Sequence, residues 1–164
     1  MRKFVKFYII LLVIFIGLGL LGFSITKDAE TPEELEAKTM QQTPGYATMV
    51  AISEMTKEQQ LQDAVLDIQV QPDQDHDIAL VKLQSSEFMN SDILLKDSYN
   101  MLQNIALSKQ IAEITLVWYQ VIDNNNTEVL TMTFDRTALD QISDVSYSDL
   151  SSMAKAYEKH SELQ

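Results

Sequence analysis

Residues 7–23 form an uncharged run of 17 residues, almost all strongly apolar, directly behind Arg2, Lys3 and Lys6. A hydrocarbon core of about 30 Å needs roughly 20 apolar helical residues. Phe4 and Val5 extend the run, and Lys6 can reach back to the headgroups with its ammonium. Three cations before the run, against Lys27, Asp28 and Glu30 after it, predict a cytoplasmic N-terminus. The rest of the chain is then expected outside, as the extracytoplasmic part of a single-pass signal-anchor protein of a bacterial cell envelope. Tyr8 and Phe23 are placed as interface anchors. The competing reading is a cleaved signal peptide, with Gly22-Phe23-Ser24 as a poor small-x-small site and a secreted product.

Gly17-Leu18-Gly19-Leu20-Leu21-Gly22 spells G-x-G-x-x-G inside this run. A dinucleotide site needs that string between a strand and a helix, so the motif is rejected. Gly45 is the one glycine outside the run, which argues against phosphate-cradling loops and hence against a nucleotide partner. Setting aside Arg2, Lys3 and Lys6, 9 of the 12 basic residues remain against 24 acids, a net charge of −15. Such a surface repels nucleic acid and anionic lipid. The chain has no cysteine, so no disulfide holds it and an apolar core must. No cofactor is expected.

The remainder reads as α+β. Residues 24–56 look like an acidic stalk. Thr31-Pro32-Glu33-Glu34 is a helix start for about 32–42, and 46–55 is a mildly apolar stretch. A folded domain is expected over 57–142. Thr56-Lys57-Glu58-Gln59 would open a short helix. Leu66, Ile68 and Val70 alternate with polar residues as a first strand, and Ala79, Val81 and Leu83 mark a second. Ser91 would cap a helix over 92–109. Residues 113–122 read as the most apolar strand, with Ile114, Leu116 and Trp118 on one face and Val117, Tyr119 and Val121 on the other. Asp123-Asn124-Asn125-Asn126 is a hairpin turn, because Asn and Asp tolerate left-handed backbone. Leu130, Met132 and Phe134 give a fourth strand, and Asp135 caps a short helix. Leu150, Met153, Ala154 and Tyr157 would stripe a C-terminal helix within 143–164, capped by Ser148. The expected architecture is two-layered: a four-stranded antiparallel sheet crossed by one helix, in the order α-β-β-α-β-β-α.

Chemistry is sparse. Asp73, Asp75 and Asp77 have the spacing that begins a calcium loop, but Ile78 and Gln84 stand where an EF-hand needs Gly and Glu. The plainer reading is a solvated acidic turn. His76 and His160 are the only histidines and lie on separate elements. No serine sits in a G-x-S-x-G elbow. Asn125-Asn126-Thr127 is a formal glycosylation sequon that also serves as hairpin chemistry. One helix covers only one sheet face, so Val117, Tyr119 and Val121, with Thr131 and Thr133, are the candidate partner-binding surface. The alternative is that the C-terminal helix or 46–55 covers them.

The functional expectation is an envelope interaction module that binds a protein partner at the outer membrane face. A small envelope enzyme and a calcium- or ligand-sensing surface domain are the alternatives. Protease added to intact cells is expected to digest the acidic remainder. Protection in intact cells with digestion in opened ones would reverse the assigned topology.

Overall fold

The computed structural model describes residues 43–163, except 75 and 87. The apolar run 7–23 and the expected helix over 32–42 lie outside the described residues. Among those described, no helix is long and apolar enough to cross a membrane.

The first element is helix α1, Tyr46–Glu58. It begins after Gly45, whose φ of 81° is left-handed; a Cβ there would meet Val70 Cγ1 at 2.9 Å, so the position also needs glycine's lack of a side chain. α1 ends in a paired bond pattern. Leu61 N–H donates to the Thr56 carbonyl at 2.9 Å and Gln60 N–H to the Lys57 carbonyl at 3.0 Å, with Gln60 at φ 59°. This is a Schellman closure with Gln in the left-handed position. Thr56 therefore sits in the last turn of a helix and does not open one. Its hydroxyl is turned back onto the Ser53 carbonyl. The segment read as stalk thus contains a helix of the domain, and Ile52 is in the core with no exposure.

Strands β1, Val65–Asp73, and β2, His76–Gln84, form an antiparallel hairpin turned through Gln74 at φ 53°. Helix α2, Ser91–Ile105, is capped by Asn90, whose Oδ1 accepts from Ile93 N–H at 3.1 Å. The cap is one residue before the expected Ser91. Strands β3, Ile111–Ile122, and β4, Asn125–Asp135, form the second antiparallel hairpin. Asp123 and Asn124 take φ of 50° and 64°, the two positive angles of a type I′ turn. Asp135 caps α3, Arg136–Gln141, by accepting from Ala138 N–H at 3.0 Å.

Among the described residues the sheet has five strands, not four: β1-β2-β3-β4 and, beyond β4, β5, Ala156–Lys159. It is also mixed, because β2 and β3 run parallel. The reason is the 15-residue α2. It carries the chain back across the whole sheet, so the second hairpin starts at the same end as β2. An all-antiparallel reading overlooked that return. The fifth strand, Ala156–Lys159, replaces the second half of the expected C-terminal helix and pairs antiparallel with β4. What precedes it is two 3₁₀ turns and a four-residue helix α4, Leu150–Met153. The turn at Tyr147–Asp149 is capped by Ser146 in a box with Asp149, not by Ser148. The apolar residues that resembled a helical stripe are used differently. Leu150 is fully buried, while Tyr157 stands opposite Met132 in the ladder. Leu150 and Leu163 both join the core. Each such side chain contributes about 1.5–3 kcal/mol when buried, which favours folding this tail over leaving it extended.

Both long helices lie on the face that carries Val81, Leu83, Leu116, Trp118, Met132 and Phe134. At its centre Trp118 Nε1–H donates to Ser98 Oγ at 2.8 Å, with both residues fully buried. Arg136 ties the layers at the lower end. Its guanidinium donates to the carbonyls of Ala106, Ser108 and Ile111 at 2.9–3.1 Å, where α2 ends and β3 begins. The Ala106 carbonyl, at the C-cap of α2, lacks an intrahelical donor, and such a helix end favours a cation. Ser98→Ala should leave the buried indole N–H without an acceptor and cost about 1–3 kcal/mol in urea unfolding.

Candidate functional site

The parallel and antiparallel registers place Val117 beside Lys82 and Thr131, and Tyr119 beside Gln84 and Glu128. Alternation along β3 turns Val117, Tyr119 and Val121 away from the face of Trp118. The expected partner-binding residues do come together on this outer face. The helix residues named in the core pack on the opposite side, so α1 and the C-terminal segment do not fill the role of its cover. Val117 is only 6% exposed yet stands outside the core cluster; neighbouring strands shield it. Tyr119, Thr131 and Thr133 are half-buried, and Val121 is 48% exposed. The two threonine hydroxyls are engaged. Thr131 donates to Glu128 at 2.5 Å, and Thr133 and Thr115 share a bond at 3.0 Å.

Charge rims this strip. Lys82 lies 3.6 Å from Asp67, and Lys155 donates to Glu113 at 2.6 Å. The hydrogen bond to Glu113, and then its charge, hold the Lys155 ammonium above its ordinary value. That pair is complete below the unfolded-state value of lysine and is lost as pH rises through the folded-state one.

The most exposed large apolar side chain of the domain lies at the upper end, where β2 and β3 finish. Phe88 is 86% exposed. The residues on either side of it, Ser85, Ser86 and Met89, are nevertheless held closely. Gln120 is 6% exposed, and its amide donates to the carbonyls of Ser86 at 2.7 Å and Met89 at 3.1 Å. Ser85 adds its own N–H and hydroxyl, both to the Tyr119 carbonyl, at 2.8 and 3.1 Å. A recess of about 420 Å³ lies beside the loop, with Phe88, Met89, Gln120, Val121 and Ile122 among its walls. Val121 belongs to both the recess and the outer face, so the two form one surface. The chain enters the domain at the other end of the sheet, where Gly45 meets Val70 and Pro72.

The acidic turn is arranged otherwise. Asp75 lies outside the described residues. Asp77 is buried and accepts a hydrogen bond from the Thr48 hydroxyl of α1. Asp77 pairs with Pro72, and Asp73 pairs with His76, so Asp73 and Asp77 project from opposite faces of the hairpin. Among the described residues no three His, Cys, Asp or Glu side chains gather as metal ligands. His76 is exposed at the start of β2, and His160 follows β5, where its N–H donates to the Val129 carbonyl at 2.9 Å. A second, polar recess of about 330 Å³ is lined by Gln59, Asp97, Asn100 and Gln103. Burial there lifts the Asp97 carboxyl above its usual range, against the opposing charge of Lys96.

Sequence reasoning missed Phe88. It stands among Ser85, Ser86, Asn90 and Ser91, where no periodicity marks it. The available signal was the apolar pair Phe88-Met89 set between polar residues. No protein-family model matches the chain, and neither a curated protein nor a solved structure matches it.

Gln120→Leu removes both loop bonds while keeping an apolar stem. It should raise amide exchange in 86–90 selectively and cost about 1–2 kcal/mol, leaving the β3–β4 ladder protected.

Proposed function

We propose that the chain is a membrane-tethered interaction module of a bacterial cell envelope, whose α+β domain holds a protein partner at the outer membrane face. The tether is the uncharged run 7–23 behind its basic foot. The binding surface is the upper tip, Phe88 with Val121 and Met89, continued onto the outer face by Tyr119, Val117, Thr131 and Thr133. One observation carries the reading: an aromatic ring stands in water on a loop whose flanking residues partly buried hydrogen bonds hold in place. An exposed Phe on a slack loop loses rotamer and backbone freedom when it binds. A pinned loop has already met much of that cost. Aromatic anchors surrounded by polar rims are also where alanine substitution weakens interfaces most. The acidic charge of the domain favours a partner with basic or neutral contacts around the ring.

The experiment is photo-crosslinking in intact cells from a reactive residue at position 88, compared with Phe88→Ala and Val121→Ser in affinity capture of the full chain. A discrete crosslinked protein is expected. Each substitution should weaken its capture by about tenfold or more. Because both side chains are exposed, stability should move by no more than about 0.5 kcal/mol. Undiminished capture by both variants would refute the assignment of the tip.

A further inference from the structure

β1 forms one edge of the sheet, and its outer side has no strand partner among the described residues. Which of its backbone groups point outward follows from the hydrogen bonds of the neighbouring strand. Asp77 and Ser85 donate their N–H groups toward β3, to Gln110 and Tyr119, both at 2.8 Å. Backbone direction alternates along a strand, so Ile78, Leu80 and Lys82 face β1 instead. Their partners Gln71, Gln69 and Asp67 are thereby the residues of β1 bonded inward. Ile68 and Val70 then direct N–H and C=O out of the sheet. Pro72 has the same parity, and it is the one residue type with no N–H to present there.

We infer that this edge pairs with the same edge of a second copy of the chain, antiparallel and centred on Gln69. That centre sets Ile68 opposite Val70 of the second copy, and the reverse, giving two residue pairs that each exchange two N–H···O=C bonds. Gln69 meets Gln69 in the non-hydrogen-bonded position between them. Charge selects this register. Ile68-Gln69-Val70-Gln71 is an uncharged stretch in a strongly acidic domain, and here Asp67 faces Gln71 rather than another carboxylate. Centring on Val70 would set Asp67 against Asp73, and its flanking pairs would fall on Pro72. Centring on Ile68 would run the ladder into the irregularity between Val65 and Asp67. Ile68 and Val70 lie on the helix-bearing side, so the pairing also joins the two apolar layers. The guards this edge does carry against pairing, Pro72 and the irregularity between Val65 and Asp67, lie outside the Ile68–Gln71 stretch, which holds no lysine. This surface is separate from the tip, and neither assignment depends on the other.

The chain has no cysteine, so a single introduced thiol reports one distance. Facing residues at a non-hydrogen-bonded position have Cα atoms about 4.5 Å apart, within disulfide range. The full chain carrying Gln69→Cys, oxidised in the cells that express it, should give a disulfide-linked dimer on a non-reducing gel. Gln71→Cys should not, because the two thiols would stand about 13 Å apart along the strands. A chain with both Asp67→Cys and Gln71→Cys should cross-link. Adding Gln69→Lys to it, at an exposed position, should abolish that band by setting like charges face to face. Equal dimer from Gln69→Cys and Gln71→Cys would mean collision and overturn the pairing. So would a folded Gln69→Cys chain that stays monomeric, or one that links to a different protein.

Discussion

The contact between Trp118 and Ser98 lies where α2 crosses β3, and most of the architecture depends on that crossing. A tryptophan is the largest side chain the core must house, and its N–H needs an acceptor once water is gone. Ser98 supplies one from the middle of α2. With the helix seated there, β2 and β3 have to run parallel, and both hairpins deliver their apolar faces to the same side. Arg136 then closes the lower end by collecting the carbonyls that α2 leaves behind. Among the described residues the other face of the sheet gains no helix, which leaves the outer residues of β3 without a helical cover.

Much of this was legible in local pattern. The period-two alternation of β2, β3 and β4, the Asp135 cap and the Asp123-Asn124 turn were all readable, since each is set by residues within a few positions. Relations between distant segments were not. Nothing local distinguishes an antiparallel neighbour from a parallel one, so the β2–β3 pairing escaped. Ala156–Lys159 is too short and too polar to announce a strand; it forms because β4 offers an edge. α1 was obscured by its weak amphipathicity; the burial of Ile52 and the Thr48–Asp77 hydrogen bond reveal it as part of the domain. The candidate surface divides in the same way. Val117, Tyr119 and Val121 follow from strand period, whereas Phe88 gains meaning only from Gln120, a residue 32 positions later whose amide fixes the loop.

The polar groups of the domain are spent on shape more than on charge. Gln120 and Arg136 place donors against backbone carbonyls and Ser98 supplies the acceptor for the Trp118 indole, and each bond joins segments far apart in sequence. Such bonds contribute modestly when made and cost more when half-broken. In a chain without disulfides they restrict which packings of the apolar residues are tolerated, and the tip inherits its order from them.

The two margins of the sheet are unequal. β1 spans nine residues and is uncharged through its middle, whereas β5 spans four and carries Glu158 and Lys159. A sheet that is adhesive along one margin only can close into a two-fold pair but cannot add further copies end on end. On the inferred β1 pairing, the short, charged strand at the C-terminal side leaves no second margin on which further copies could add.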